Sequence, residues 1–451
     1  MERKHLFSLS GWLALVSAGC LLVPGISSGE PSVKLRTSLD RPLIDLNSED
    51  RKVVIKIEVE GGKVDRQERM PVNLAIVLDR SGSMSGSKLE QAKQAACYLV
   101  DQLEPTDVIS LVLYDTEVQV ALPAGKVGKR ADKIQRMIRG IQTGGSTALY
   151  GGVDTGGREL EEFLCDERVN RVMLLSDGIA NIGPSSNREI ANLGNRLARK
   201  GMSVTTIGLG DDYNETLMTA LAEASDANYY YVADVEELPK VFERELGELK
   251  SIVAREIIIR IRCPKGVRPL RVLGRPGELS KQEESIVFAT LSSEQSRDLY
   301  LECEIDPEVI GKVTEIANVG AEYRDPLADR RETLGERVIV VGYSEDSELA
   351  ASVVDQGIVA EAEVSRNAEE VERAIALADQ GQADASREHL AKQQEKLKSA
   401  YAMAPAAQQE VLEQEIESLD EAVRDLERGQ LSKEQRKVLT NRTWELRNAK
   451  K

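Results

Sequence analysis

Asn73-Leu74-Ala75-Ile76-Val77-Leu78 is an apolar run that continues directly into Asp79-Arg80-Ser81-Gly82-Ser83-Met84, and a helical pattern begins near Lys88. This pattern predicts a buried strand, a short loop and a helix. The loop offers oxygen-bearing side chains at alternate positions, from Asp79, Ser81 and Ser83. Ligands bind at the carboxyl ends of strands in open parallel sheets, and closely spaced oxygens suit a hard divalent cation. The D-x-S-x-S motif alone is a weak signal, because Asp and Ser also cap helices and satisfy turn amides.

Two further stretches occupy the same kind of position. Gly144-Gly145-Ser146-Thr147-Ala148-Leu149 is a glycine-rich loop before a helical pattern, and it offers the Thr147 hydroxyl. Val172–Leu175 reads as a second buried strand that ends in Ser176-Asp177-Gly178. Because all three stretches follow strands, the fold can bring them together at one rim.

The ordered set D-x-S-x-S, T-G-G-x-T and S-D-G resembles the metal-ion-dependent adhesion site (MIDAS) of von Willebrand factor type A (VWA) domains, over roughly residues 71–250. The resemblance implies that Ser81, Ser83 and Thr147 contact a cation through hydroxyls. It implies that Asp79 and Asp177 act directly or through water. With few direct carboxylates, Mg²⁺ or Mn²⁺ fits better than Ca²⁺. Such a cation captures an Asp or Glu of a protein partner. We expect Asp115 and Asp211 to be loop acids rather than ligands.

Residues 70–250 alternate buried strands with helical patterns, which predicts a doubly wound, Rossmann-like α/β domain with a mostly parallel sheet. The segment from Gly208 to Tyr231, and Thr37–Pro42 before the domain, resemble bacterial secreted VWA proteins related to inter-α-trypsin-inhibitor heavy chains and calcium-activated-channel-like proteins. Gly208-x-Gly210 lacks the third glycine and the downstream acid of a dinucleotide-binding loop.

The pattern changes at both sides of this domain. Residues 251–343 contain strand-like segments without long helices between them, which predicts a β-sandwich-like domain. Residues 30–65 contain a clear strand at Val53–Val59 and are too short to fold alone. We expect them to complete the sandwich, so that the α/β domain is an insertion.

Residues 347–451 form a polar helical region. Apolar residues at heptad spacing form a short seam there: Leu412, Ile416, Leu419, Val423 and Leu426. Two interpretations remain open. The seam packs on neighbouring helices of the same chain, or it serves self-association or partner docking as a coiled coil.

Composition excludes several classes of function. The 451-residue chain has 76 acidic and 59 basic residues, for a formal net charge of −17, which argues against binding to nucleic acid or anionic lipid. Its two histidines, His5 and His389, lie far from the motif, so His-dependent catalytic triads and multi-His zinc sites lose support. We therefore expect no enzyme activity.

Residues 1–29 read as an export signal, with basic Arg3 and Lys4, an apolar run from Trp12 to Val23, and small residues before Glu30. The apolar run is short for a membrane anchor. Ser17-Ala18-Gly19-Cys20 leaves a lipoprotein signal as the alternative to simple cleavage. The chain is expected in the periplasm, cell envelope or extracellular space. There, Cys263 and Cys303 could pair, but spacing does not decide this.

The leading hypothesis is therefore a secreted or envelope-associated adhesion protein that captures an acidic residue of a protein ligand through a cation in its VWA domain. The first alternative is a non-enzymatic scaffold that acts through its C-terminal helices. The second is metal-assisted hydrolysis, although no general base and no H-E-x-x-H motif is evident.

Overall fold

The computed structural model describes residues 32–63, 69–275, 277, 279, 281–306 and 313–448. The predicted signal peptide at residues 1–29, with Cys20, lies outside these ranges. Over the residues described, no helix has both the length and the apolar character that crossing a membrane requires.

Strands and helices are numbered along the chain. The strands are β1 (Val33–Leu39), β2 (Leu43–Asp45), β3 (Lys52–Gly61), β4 (Val72–Asp79), β5 (Val108–Tyr114), β6 (Val118–Lys126), β7 (Val169–Ser176), β8 (Met202–Leu209), β9 (Tyr229–Val232), β10 (Ile252–Arg262), β11 (Val267–Val272), β12 (Glu283–Ser292), β13 (Ser296–Ile305), β14 (Val313–Asp325) and β15 (Arg330–Ser344). The helices are α1 (Ser87–Gln102), α2 (Ala131–Arg139), α3 (Leu149–Glu161), α4 (Asn187–Ala198), α5 (Glu215–Ala224), α6 (Leu238–Lys250), α7 (Ser347–Ser352), α8 (Gln356–Asp379), α9 (Ala383–Met403), α10 (Ala406–Glu427) and α11 (Lys433–Asn448).

The α/β domain is built on a sheet with strand order β6-β5-β4-β7-β8-β9. Its strands are parallel except β6, which pairs antiparallel with β5 at the edge. Every residue of β4 and β7 is buried, as expected for strands covered on both faces. The strand order reverses at β4, since β5 lies on one side of it and β7, β8 and β9 continue on the other. Such a reversal leaves a crevice at the carboxyl ends of the strands.

Two layers of helices cover this sheet. On one face, α1, α2 and α6 bury residues such as Leu89, Ile138 and Phe242 against the strands. On the other face, α3, α4 and α5 bury residues such as Val153 and Leu217. The predicted doubly wound α/β class is therefore confirmed.

The β-rich region is a pair of mainly antiparallel sheets that enclose a common apolar core, with β2 added parallel to β15 at one edge. One sheet has the order β1-β3-β13-β11, and the other has the order β12-β10-β14-β15-β2. The first three strands precede the α/β domain in sequence, yet β3 pairs with β13 along nine residues, from Lys52–Glu304 to Glu60–Ser296. The α/β domain is thus inserted between strands of the β-rich region.

The C-terminal helices form a bundle with its own apolar core. The predicted seam lies in this core, where Leu412, Leu419 and Leu426 are buried against the neighbouring helices. This arrangement corresponds to the first of the two interpretations, packing within the chain. Helix α11 also reaches the α/β domain, where Trp444 packs edge-on against Tyr229 with ring centroids 6.3 Å apart.

Cys263 and Cys303 are both buried in the core of the β-rich region as free thiols. The structure therefore contains no disulfide between them. Cys97 is also a buried thiol, on the apolar face of α1.

Candidate metal centre at the carboxyl edge of the sheet

The first loop of the rim connects β4 to α1. Asp79 is the last residue of β4, and its backbone continues into a single 3₁₀ turn at Gly82–Met84. Oδ1 of Asp79 accepts a 2.8 Å hydrogen bond from the Ser81 amide, which folds the loop back over the strand end. Gly86 then adopts a φ of 82°, a left-handed conformation that suits glycine, before α1 begins. The local sequence therefore turns both serine side chains toward the strand end.

The glycine-rich loop packs directly against the first loop. The Gly144 amide donates to the Arg80 carbonyl at 2.6 Å, and the Gly82 amide donates to the Gly145 carbonyl at 2.9 Å. A Cβ atom on Gly144 would lie 1.8 Å from Oδ2 of Asp115, so a side chain cannot be placed there without displacing that carboxylate. Glycine at this position allows the two loops to approach.

A chain of hydrogen bonds joins four of the five predicted ligands, namely Asp79, Ser81, Ser83 and Asp177. The Ser81 and Ser83 hydroxyl oxygens lie 3.0 Å apart, and the Ser83 hydroxyl donates to Oδ1 of Asp177 at 2.7 Å. Asp79 lies below them at the strand end. The structure therefore brings the ends of β4 and β7 together at one point of the rim.

Thr147 lies on the other side of the same point. Its Oγ1 lies 3.0 Å, and the Ser83 Oγ 3.5 Å, from the position that a Cβ on Gly178 would take. Both hydroxyls thus flank the backbone of the residue that follows Asp177. The Thr147 amide donates to Oδ1 of Asn181 at 2.9 Å, and the Asn181 amide donates back to the Thr147 carbonyl. These bonds fix the threonine on the loop after β7.

The two carboxylates are buried, and of the three hydroxyl residues only Ser83 is exposed to solvent. Asp79 and Asp177 are both 0% exposed, Ser81 and Thr147 are also buried, and Ser83 is exposed. Burial raises the pKa of the Asp79 carboxyl, against the hydrogen bonds from Ser81 and Ser176 that lower it, and the nearby Asp177 charge raises it further. The site is thus a pair of buried acids beneath three hydroxyls, and it reaches solvent at Ser83.

Sequence reasoning missed three residues that shape this site. The Ser176 hydroxyl donates to Oδ2 of Asp79 at 2.7 Å, and Asn181 holds the Thr147 backbone. The Lys88 ammonium lies 2.6 Å from Oδ2 of Asp177. Ser176 stood within the quoted S-D-G motif, but the contacts of Lys88 and Asn181 depend on loops that meet only in the folded chain.

Asp115 and Asp211, the acids that the sequence assigned to loops of the rim, both have protein partners. Asp115 forms an ion pair of 2.9 Å with Arg80 and accepts a hydrogen bond from the Glu117 amide. Asp211 accepts a hydrogen bond of 2.7 Å from the Tyr231 hydroxyl. In this structure both acids therefore organise loops.

The donor set fits a hard divalent cation held mainly by neutral oxygens. No group of three or more His, Cys, Asp or Glu side chains is arranged to hold a metal ion in the described ranges of the chain. The rim instead combines two carboxylates with three hydroxyls, all of them oxygen ligands of the kind that Mg²⁺ accepts. Asp79, Ser81, Ser83, Thr147 and Asp177 remain the residues predicted to hold such an ion.

A separate cavity of about 550 Å³ lies where the α/β domain, the β-rich region and the helical bundle meet. Tyr230, Tyr300 and Trp444 are among the residues that line it. None of the five predicted ligands lines this cavity, so the rim site and the cavity are distinct.

The strand order of the sheet reverses at β4, and the loops after the neighbouring strands carry acids and hydroxyls. The domain therefore belongs to the class of α/β domains that offer oxygen ligands where the strand order reverses. A family model of the von Willebrand factor type A domain matches residues 73–244, so this region is a VWA domain. The predicted family is confirmed. Domains of this class commonly mediate metal-dependent protein binding.

Known proteins extend the similarity beyond that domain. The uncharacterized protein sll0103 of Synechocystis is 27% identical over 292 residues, which are 62% of this chain and 68% of that protein. The human inter-alpha-trypsin inhibitor heavy chain H4 is 27% identical over 237 residues, 49% of this chain but only 26% of that protein. A solved von Willebrand factor type A structure from Catenulispora acidiphila covers 88% of this chain and 91% of its own, with a TM-score of 0.66 and 17% identity. At that identity the likeness concerns the fold alone.

Proposed function

We propose that this chain is an exported, non-enzymatic adhesion protein whose VWA domain captures a carboxylate of a protein partner through a divalent cation. The cation is Mg²⁺ or Mn²⁺, held by Asp79, Ser81, Ser83, Thr147 and Asp177. The observation that carries the proposal is the convergence of three hydroxyls and two buried carboxylates at the switch point of the sheet.

The ligand chemistry supports capture of an acid. A divalent cation bound at the rim supplies positive charge that the three hydroxyls do not neutralise. The exposed Ser83 leaves the site open on the solvent side, and Ile179 beside it is 61% exposed. A partner's Asp or Glu can therefore approach from solvent, with an apolar contact next to it. Export rests on the sequence of residues 1–29, and the absence of activity rests on the lack of a general base in the motif.

The test has two parts. Binding of Mn²⁺ to the purified chain is measured by electron paramagnetic resonance, for the wild type and for Asp79→Ala. Glu162→Ala is the matched control, because Glu162 is an exposed acid at the far end of α3. We expect the wild type and the control to bind Mn²⁺ and Asp79→Ala to lose at least tenfold in affinity, since buried carboxylates organise the ligands.

The second part identifies what the cation binds. A peptide array contains pairs of peptides that differ only in having Asp or Glu in one peptide and Asn or Gln in the other. The array is probed with the purified chain in the presence of Mg²⁺ or of EDTA. The proposal expects binding to acidic members only, lost with EDTA and with Asp79→Ala. Protein binding that ignores EDTA and this substitution would move the function to the C-terminal helices.

A further inference from the structure

Lys88 lies at the candidate metal centre although it belongs to no part of the motif. It is in the first turn of α1, and about a quarter of its side chain is exposed. Its Cε and Nζ lie 3.6 Å from the position that a Cβ on Gly210 would take, beyond the end of β8. The ammonium therefore lies between the loops that follow β7 and β8.

Both oxygens of Asp177 have partners in this arrangement. Oδ1 accepts from the Ser83 hydroxyl at 2.7 Å, and Oδ2 accepts from Lys88 at 2.6 Å. Asp177 is fully buried, so an unpaired negative charge there is costly, and the ammonium stabilises it. The same carboxylate is one of the two acids predicted to serve a divalent cation.

We propose that Lys88 is a built-in competitor of the divalent cation: it neutralises Asp177 as a tethered positive charge and thereby sets a weak, readily reversible metal affinity. This inference rests on the proposed function. Two cations that share one carboxylate lie about 5 Å apart, and their repulsion is substantial even at an effective dielectric constant of about 20. Metal binding therefore requires the ammonium to move away from Asp177.

The rim provides a second acid toward which Lys88 can move. Lys433 is the main cause of the lowered pKa of Asp212, beyond the end of β8, and the charge of Lys88 adds to this effect. Asp212 follows two residues after Gly210, the glycine that the Lys88 side chain approaches, so the ammonium and this acid share the loop after β8. It already pairs with Lys433 of α11 at 3.0 Å, so a shift of Lys88 brings a third charge to that pair.

The experiment compares Mn²⁺ affinity, by electron paramagnetic resonance, among the wild type, Lys88→Gln, Lys88→Arg and Lys133→Gln. Lys133 is an exposed lysine of α2, so its replacement changes the net charge equally without touching the rim. We expect Lys88→Gln to bind Mn²⁺ about tenfold more tightly or better, because the repulsion is gone. Lys88→Arg, which keeps the charge, and Lys133→Gln should remain near the wild type.

The rise in melting temperature on adding Mn²⁺ is a readout that a merely structural lysine would not change. In EDTA, Lys88→Gln should melt below the wild type, since Asp177 has lost its partner, and added Mn²⁺ should raise its melting temperature by more than that of the wild type. Suppose that the wild type binds Mn²⁺ and Asp79→Ala does not. If Lys88→Gln then binds Mn²⁺ no more tightly than the wild type, the role of Lys88 is overturned and the proposed function stands. Failure of both the wild type and Lys88→Gln to bind Mn²⁺ would overturn both.

Discussion

The Ser83 hydroxyl donates a 2.7 Å hydrogen bond to Oδ1 of Asp177, across 94 positions of sequence. This bond joins the loop after β4 to the loop after β7, the two strands between which the sheet order reverses. Together with the hydrogen bond from the Ser176 hydroxyl to Asp79, it directly links the first and last parts of the predicted motif.

Ser83→Ala removes this link and one predicted ligand. We expect Mn²⁺ affinity to fall by about tenfold to a hundredfold, as when residues that orient metal ligands are removed. The melting temperature should fall modestly, because the buried Asp177 loses one hydrogen-bond donor but keeps Lys88. Ser85→Ala, on an exposed neighbour in the same loop, is the control and should bind Mn²⁺ like the wild type. Unchanged affinity in Ser83→Ala would contradict its assignment as a ligand.

Gly144→Ala places a methyl group where Oδ2 of Asp115 now lies. Because the carboxylate or the loop must move, we expect a loss of about 1–3 kcal/mol in unfolding free energy, together with weakened Mn²⁺ binding. Gly247→Ala is the matched control, since a Cβ there meets nothing within 4 Å on the exposed side of α6. The control should be neutral or more stable by about 0.5–1 kcal/mol, because alanine favours helix. Denaturant unfolding measures both.

Docking of α11 on the α/β domain should depend on the ionisation of Glu215. Burial opposes this ionisation, but the hydrogen bonds and charges of Lys437 and Arg436 outweigh it, and the pKa of Glu215 is lowered from its ordinary 4.5. A lowered pKa means that the stabilisation is present above pH 4.5 and is lost as the pH falls through the folded-state value. We therefore expect α11 to loosen in acid.

Trp444 reports this event, because it packs against Tyr229 and the only other tryptophan is Trp12. In a Trp12→Phe background, emission should shift to the red below pH 4.5. Glu215→Gln should flatten this pH response and cost about 3 kcal/mol at neutral pH, since Lys437 is left buried without its counter-charge. If the emission of Trp444 shifts equally with pH in Glu215→Gln and in its parent, the ionisation of Glu215 does not control the docking of α11.

The strands before the α/β domain should be required by the β-rich region. Ile57 is fully buried in β3 and lies opposite Leu299 of β13. Ile57→Ala should destabilise the β-rich region by about 2–5 kcal/mol, with faster amide exchange across β10–β15. Deleting residues 32–61 should unfold that region altogether. Protected amides in β13 after the deletion would show that these strands are dispensable.

The α/β domain was predictable because its signals are local. A fully apolar run such as Asn73–Leu78, followed by a loop and a helical pattern, specifies a strand covered on both faces, and acids at strand ends are visible in the sequence. The partner of a strand is harder to predict. Nothing near β3 indicates that it pairs with β13, some 240 positions later, because pairing depends on the faces that both strands bury.

The missed contacts at the site have the same origin. Lys88 reads as an ordinary polar residue at the start of an amphipathic helix, and only the meeting of the loops after β7 and β8 aims its ammonium at Asp177. Asn181 likewise gains its role by folding back on Thr147. Residue type and spacing identified the candidate ligands, whereas the groups that hold or compete with them depend on tertiary packing.

The insertion of the α/β domain also has a mechanical consequence. The chain enters the domain after β3 and leaves it into β10, and these two strands belong to different sheets of the β-rich region. β4 begins and α6 ends at the end of the domain opposite the rim, where Lys250 donates a hydrogen bond to the Gln102 carbonyl at the end of α1. Tension applied by a partner at the rim is therefore divided between two sheets. The two strands that receive this load, β3 and β10, are each hydrogen-bonded to a neighbour on both sides, so neither is an edge strand.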